Sequence, residues 1–170
     1  MPVRLIAALS MASALSLCLA GSAFAQSVTL IGTFKDWTAY SASEGAGAMC
    51  FAMSKPSDVS PSPDGYTQAY LYLTHRPAEN VANEINLVAG FEFAPDQPAT
   101  LQVDGKNFGL FTQKDAAWLL DATQNDNLAG AMRAGQSVVI QGTTDKGILV
   151  SETFSLSGAT AASKAIDSGC

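Results

Sequence analysis

The chain has 170 residues, a formal net charge of −6, an apolar fraction of 48% and a charged fraction of 14%. Such an acidic chain lacks the basic surface that binds nucleic acid or anionic lipid, so we expect neither as a partner. Its length corresponds to about one ordinary domain.

The N-terminal 25 residues have the pattern of a secretory signal peptide. Residues 1–4 form a short basic start, residues 5–20 are mostly apolar, and residues 23–25 are the A-x-A motif that precedes cleavage. The apolar run is short and rich in small residues, unlike a membrane anchor. We therefore expect cleavage before Gln26 and export to the periplasm or out of the cell.

The predicted mature chain covers residues 26–170 as a single domain. Removal of 25 of the 170 residues leaves 145, and the loss of Arg4 changes the formal net charge from −6 to −7. Cys18 follows Leu17 instead of the Gly or Ala of a lipoprotein signal, so we do not expect a lipid anchor. No later apolar run reaches the roughly 20 residues of a membrane span, and no integral membrane segment is expected after cleavage.

The first half of the mature chain has strand patterns separated by turn residues. Residues 37–43 and 48–54 are predicted to pair around a Gly-rich turn, and the Pro- and Gly-rich residues 57–65 to form an exposed loop. Residues 84–93 alternate apolar and polar side chains, the period of a half-buried strand. Residues 100–103 and 107–112 flank Asp-Gly, the strongest local hairpin signal.

Another strand ends at the only histidine of the chain. Leu71, Leu73 and His75 share one face, and Pro77 then interrupts the ladder because it has no backbone N–H. A histidine there most often hydrogen-bonds to the backbone or to a carboxylate and fixes a corner. We favour that structural role over ligand contact or catalysis.

The C-terminal third adds a hairpin and two short helices. Residues 137–142 and 148–156 are predicted to pair, and residues 123–134 to form a helix capped by Asp121 or Thr123 and ended by Gly135 in the left-handed conformation. A second helix is predicted from a Ser157 cap to the C-terminus. The fold class is therefore mostly β: an antiparallel β-sandwich or barrel-like single domain with two short helices in the C-terminal third.

Glu152 interrupts an otherwise apolar row of the late hairpin. A carboxylate on the core side of a strand needs a partner, because burying an unpaired charge is costly. His75 and Arg76 are the candidates, so His75, Arg76 and Glu152 are predicted to form a structural or ligand cluster. The large aromatics Trp37, Phe108, Phe111, Trp118 and Phe154 are most simply core or core-edge residues, with an aromatic ligand platform as the alternative.

Removal of the signal peptide leaves Cys50 and Cys170 as the mature cysteines. An even number in an oxidising compartment predicts one disulfide, which would enclose about 120 residues. Two free thiols are the alternative. A zinc site is not expected, because two cysteines and one distant histidine do not supply four ligands.

The mature chain lacks the residue combinations of common enzymes. It has no G-x-S-x-G elbow, no H-E-x-x-H motif, no P-loop and no C-x-x-C motif, and its sole histidine would have to serve any nucleophile. We therefore predict no catalytic residues, no metal and no cofactor. The alternative is a hydrolase of unrecognised type that uses His75 with a carboxylate.

Several short motifs in order resemble the invasion-associated locus B family, and together they span nearly the whole mature chain. They are residues 32–40 (GTFKDWTAY), 74–79 (THRPAE), 104–108 (DGKNF), 110–112 (LFT), 117–118 (AW), 131–135 (AMRAG), 142–144 (GTT), 154–158 (FSLSG) and 165–166 (AI), and the terminal Cys170.

The resemblance implies a small exported bacterial protein without a known activity or cofactor. The family takes its name from a locus implicated in entry into host cells, although many relatives belong to bacteria that invade nothing. We therefore expect a non-enzymatic binding or accessory protein of the bacterial envelope, whose partner is an envelope or host-surface component. Nothing in the residues predicts the oligomeric state.

Overall fold

Antiparallel strands make up most of the fold. The computed structural model describes residues 27–44 and 47–170, so the predicted signal peptide and the expected start at Gln26 lie outside the described residues. The strands there are β1 (Ser27–Phe34), β2 (Trp37–Glu44), β3 (Gly47–Ser54), β4 (Asp58–Ser60), β5 (Tyr70–Arg76), β6 (Val81–Val88), β7 (Ala99–Val103), β8 (Lys106–Gln113), β9 (Ala116–Leu119), β10 (Ser137–Thr143) and β11 (Leu149–Ser155), and the helices are α1 (Asn125–Ala134) and α2 (Ala159–Gly169).

These strands form one antiparallel sheet in the order β1-β2-β3-β5-β6-β9-β8-β7-β10-β11-β4. The predicted hairpins are confirmed: β2 pairs with β3, β7 with β8 around Asp104-Gly105, and β10 with β11. Asp104 and Gly105 have φ values of 45° and 83°, as a two-residue turn of this kind requires. The mostly β, antiparallel fold class with two late helices is therefore confirmed.

The strands β1 and β9 were not predicted, and two further segments differ from the prediction. The expected loop at 57–65 contains β4, whose three residues pair with β11 at the edge of the sheet. The strand expected to reach Phe93 ends at Val88, because Gly90 turns the chain with a φ of +71°. A Cβ at Gly90 would lie 2.3 Å from the carbonyl oxygen of Thr67, so the turn also requires a residue without a side chain.

The open sheet curves so that residues near its two ends approach each other. The indole N–H of Trp37 at the start of β2 donates to the carbonyl oxygen of Ser155 in β11 at 2.9 Å. Next to it, the backbone N–H of Asp36 donates to the carbonyl of Ser157 at 3.2 Å. The inner face of the curved sheet encloses the core, where the largest fully buried side chains include Trp37, Phe154, Leu71, Ile85, Leu87, Leu101, Leu110, Leu128, Ile140 and Ile166.

The helix ends differ from the sequence prediction in detail. Asp121 caps a short 3-10 turn (Ala122–Gln124) that precedes α1, accepting the Thr123 N–H at 3.0 Å. Gly135 is extended, with φ −85° and ψ 175°, so its predicted left-handed conformation is wrong. A glycine is needed there for packing, because a Cβ would lie 2.7 Å from Val103.

Gly158, not Ser157, is the residue before α2. Its φ of 96° is left-handed, and a Cβ would lie 1.8 Å from the carbonyl oxygen of Phe34. This close approach seats α2 against β1, β2 and β3, with Ala159, Ala162 and Ile166 buried. Neither helix of the described residues is long and apolar enough to cross a membrane.

Candidate functional site

The side chains of the predicted cluster, His75, Arg76 and Glu152, lie in three different environments. His75 is 8% exposed and lies on the inner face of β5, whereas its neighbour Arg76 lies on the outer face, since successive strand residues alternate. Glu152 is 1% exposed on β11 and receives a hydrogen bond from Tyr66. The predicted pairing of Glu152 with His75 or Arg76 is therefore wrong.

Glu152 is an interior carboxylate with a single partner. The hydroxyl of Tyr66 donates to Oε1 at 3.1 Å, and Oε2 has no hydrogen-bond partner among the described residues. Burial raises the pKa of Glu152 from its ordinary 4.5 to about 8, an effect that the Tyr66 hydrogen bond only partly offsets. Burial and the nearby Glu152 both raise the pKa of Tyr66, so this phenol keeps its proton and remains a donor.

His75 belongs to a cluster that holds the end of α2, which we call the C-terminal clasp (Cys50, His75, Asp167 and Cys170). Cys50 and Cys170 are joined by a disulfide, the pair expected from the sequence. Cys50 lies opposite His75 in the ladder between β3 and β5, and Nδ1 of His75 is 3.2 Å from Oδ1 of Asp167. The clasp thus fixes the last turn of α2 to two neighbouring strands.

Replacement of His75 by Asn should lower the free energy of unfolding by about 1 to 3 kcal/mol, because the smaller side chain leaves a cavity on the inner face of β5 and loses the imidazole contact with Asp167. Urea unfolding of the two proteins measures the difference. Asp167→Asn serves as the control that keeps the side-chain size, and it should lose less because Asp167 is half exposed. An unchanged urea midpoint for the His75 variant would contradict the structural role.

Arg76 is the centre of an outer-face ion network. Its Nη1 and Nη2 donate to the two carboxylate oxygens of Glu84, each at 3.0 Å, and its Nε donates to Glu79 at 3.0 Å. The pKa of Arg76 is raised, mainly because its guanidinium is hydrogen-bonded to Glu84. One guanidinium faces two carboxylates, so this triad (Arg76, Glu79 and Glu84) carries one excess negative charge.

Beside the triad, large aromatic side chains cover the outer face of one half of the sheet. Tyr40 stacks on Phe51 at a centroid distance of 5.3 Å, and Phe111 stacks on Trp118 at 5.5 Å. Tyr72 lies 6.1 Å from both Phe51 and Tyr70. We call this set of Tyr40, Phe51, Tyr70, Tyr72, Phe111 and Trp118 the aromatic face; it includes three of the four tyrosines of the chain.

The strand register arranges the aromatic face as a row across the sheet. Tyr40 lies opposite Phe51, Tyr72 opposite Asn86, Asn86 opposite Trp118, and Trp118 opposite Phe111. Because neighbouring strands are about 4.8 Å apart, the row from β2 to β8 extends over roughly 24 Å. The surface is therefore long enough to contact several residues of a partner.

A groove crosses the aromatic face along β6. Its floor consists of Glu84, Asn86 and Val88, and Tyr72 and Trp118 form its two sides. The groove has a volume of about 390 Å³. A second depression of about 260 Å³ lies on the other side of Trp118. Trp118 and Glu84 line both depressions and therefore stand at the centre of the candidate site.

The other half of the sheet has a different outer face. Outward positions of β7, β10 and β11 are mostly small or polar, with Val139 and Leu149 as the apolar residues; the polar ones are Thr100, Gln102, Gln141, Ser151 and Thr153. Core packing does not require this asymmetry, because both halves bury their inner faces. The aromatic residues are thus concentrated where they can meet another molecule.

The interpretation as core or core-edge residues is wrong for Phe111, and Trp118 is half-buried on the outer face of the sheet. Phe111 is 43% exposed, and Trp118 stacks on it from the outer side of β9. Trp37 and Phe154, by contrast, are fully buried as expected. No group of three or more His, Cys, Asp or Glu side chains in the described part of the chain is arranged to hold a metal.

Comparison with known proteins identifies the family. The family model described as Invasion associated locus B (IalB) protein matches residues 37–167, which include both the aromatic face and the residues His75, Arg76 and Glu152. The chain belongs to the IalB family. No curated protein sequence matches it.

A solved structure extends the comparison to the fold. The crystal structure of invasion associated protein b from Bartonella henselae matches with a TM-score of 0.57 and 16% sequence identity, and the match covers 81% of this chain and 95% of that chain. At this identity the likeness concerns the fold alone. The curved sheet with its late helices is therefore shared with an IalB protein.

Proposed function

We propose that this IalB protein is an exported, non-enzymatic binding protein of the bacterial envelope, and that it binds a protein on the envelope or on the host surface through the aromatic face. The aromatic face is the observation that carries the proposal. Tyr, Trp, Phe, Met and Arg are the residues enriched at protein interfaces, and Met49 and Arg76 line the same groove. Family membership supports an accessory role in invasion.

Export is supported by the N-terminal sequence and by the clasp. The signal-peptide pattern at residues 1–25 predicts passage through the inner membrane. The Cys50–Cys170 disulfide is a feature of proteins in oxidising compartments, such as the periplasm and the extracellular space. Both observations favour a periplasmic or secreted protein.

The alternative enzyme would be a hydrolase that uses His75 with a carboxylate. His75 does meet one, Asp167, through Nδ1. Its other nitrogen, Nε2, is buried and has no partner among the described residues, whereas a general base must reach a substrate or a nucleophile. Cys50, the nearest potential nucleophile on the neighbouring strand, is held in the disulfide. These contacts favour the structural role of His75.

Replacement of Trp118 by Ala should weaken binding to the partner surface at least about 30-fold, the effect of losing an aromatic hot-spot residue of about 2 kcal/mol. Mature protein would be titrated onto bacterial envelope preparations and onto intact host cells, and bound protein quantified. Protease treatment of these surfaces should remove the binding, because the proposed partner is a protein.

Gln141→Ala is the matched control, since Gln141 is exposed on the outer face of β10, in the polar half of the sheet. It should bind as the unmodified protein does, and the unfolding midpoints of both variants should show that the fold is intact. Equal binding by the Trp118 and Gln141 variants would contradict the proposed function, as would binding that survives protease treatment.

A further inference from the structure

The groove along β6 combines aromatic sides with the triad: Arg76 and Glu84 line the groove, and Glu79 contacts Arg76 beside it. Tyr72 and Trp118 stand on either side of Asn86, two strand spacings or roughly 10 Å apart, so one extended chain or one long side chain fits between them. From Glu84 to Val88 the floor is about 13 Å long, the span of about four extended residues. The dimensions therefore match a short extended peptide.

The triad determines whether the groove favours a cationic or an anionic ligand. Arg76 is already held by Glu84 and Glu79, with three hydrogen bonds of 3.0 Å, so it has little capacity left for an anionic ligand. The two carboxylates retain unused acceptor positions and one uncompensated charge. A cation between aromatic rings gains from both the carboxylates and the ring faces.

The opposite end of the aromatic face has the reverse charge. Nζ of Lys55 lies 5.8 Å from the centroid of the Tyr70 ring, and Tyr70 is opposite Val88 in the register. A cationic ligand is therefore repelled at the Val88 end and attracted at the Glu84 end. The formal net charge of −6 for the chain favours approach of a basic partner over longer distances.

We propose that the groove between Tyr72 and Trp118 binds a basic, extended segment of the partner protein, with an arginine or lysine side chain at the Glu84 end. This inference rests on the proposed function and names the chemistry of its partner. Asn86 on the floor offers amide groups to the backbone of the segment, and Trp118 contacts the cationic side chain. Glu84 in the groove and Glu79 beside it repel an anionic surface at the same place.

The test uses three peptides of six residues that alternate Val with Arg, Gln or Glu. Titrated into the mature protein at low salt, the Arg peptide should bind at least about tenfold more tightly than the Glu peptide, with the Gln peptide between them. At about 0.5 M salt the difference should fall below about threefold, because charges on an open surface are screened. Equal affinity for the three peptides would overturn the proposal.

Glu84→Gln and Glu79→Gln are two independent variants, since each makes the triad neutral. Both should reduce the preference for the Arg peptide about three- to tenfold, and Glu79→Gln has the smaller structural risk because the side chain of Glu79 is 58% exposed, against 25% for Glu84. Trp118→Ala should abolish binding of all three peptides, and Gln141→Ala should change none. Unaltered charge preference in both triad variants would overturn the proposal.

The outcomes also separate this inference from the proposed function. Protease-sensitive surface binding that requires Trp118 but shows no preference among the peptides would retain the function and refute the basic segment. Surface binding that is indifferent to Trp118 would refute the function itself. Binding to vesicles of anionic phospholipid that is as tight as binding to the envelope or host surface would identify a membrane as the occupant of the groove. Self-association that Trp118→Ala abolishes would identify a second copy of the chain. Either result would overturn the inference.

Discussion

Removal of the clasp disulfide should lower the free energy of unfolding by about 4 to 5 kcal/mol. The bridge joins residues 120 positions apart, and closure of so long a loop restricts the unfolded chain strongly. The double variant Cys50→Ala, Cys170→Ala would be compared with the oxidised protein by urea unfolding. Amide exchange should accelerate first in α2, whose last turn is held by the clasp.

Asp167→Asn is the control for this comparison, because it alters the polar contact of the clasp and leaves the disulfide intact. Its free energy of unfolding should fall by no more than about 1 kcal/mol, since Asp167 is 55% exposed and solvent screens its contact with His75. Mass spectrometry of the exported protein should recover one peptide pair linked through Cys50 and Cys170. Equal urea midpoints for the double variant and the oxidised protein would contradict the expected stabilisation.

Replacement of Glu152 by Gln should make the protein more stable at neutral and alkaline pH. The pKa of Glu152 is raised in the folded protein from 4.5 to about 8, so folding favours the protonated carboxyl. Stability is therefore lost progressively as the pH rises from about 4.5 to 8, and stays low above that range. The loss is roughly 3 kcal/mol at pH 7 and on the order of 4 to 5 kcal/mol above pH 8.

The amide of Glu152→Gln does not ionise, so the variant avoids this loss. Its free energy of unfolding should exceed that of the unmodified protein by about the same amounts at pH 7 and above pH 8, and should not exceed it at pH 4. Denaturant unfolding at pH 4, 7 and 9 measures the difference. Tyr66→Phe is the complementary control: it removes the one hydrogen-bond donor to Glu152 among the described residues and should destabilise the protein. A pH-independent difference between the unmodified protein and Glu152→Gln would contradict the raised pKa.

The alternation of side chains was sufficient to predict most of the sheet. The Asp104-Gly105 turn fixed one hairpin, and the apolar row of β11 correctly placed Glu152 on the core side. The partner of Glu152 could not be predicted in the same way. It depends on which strands meet across the interior, and curvature brings the loop of Tyr66, not the end of β5, against β11.

The aromatic face was missed for a related reason. Alternation indicates that Tyr40, Phe51 and Tyr72 lie on the face opposite the buried residues, but not whether a helix covers that face. Trp118 and Phe111 were assigned to the core or its edge because large aromatics usually lie there. A count of bulky residues on both faces of each predicted strand would have found the excess at Tyr40, Phe51 and Tyr72, but not Trp118, whose strand β9 was not predicted. The strand β4 was missed because its three residues lie in a segment whose Pro, Gly and Asp content is typical of a loop.

The two tryptophans of the chain occupy opposite environments, and this has a spectroscopic consequence. Trp37 is fully buried and its indole N–H is hydrogen-bonded to Ser155, whereas Trp118 stands on the outer surface against Phe111. Fluorescence of Trp37 therefore reports unfolding, and emission of Trp118 reports occupation of the groove. A soluble quencher added to the native protein should reach Trp118 alone, so binding and folding can be followed in one sample without an attached dye.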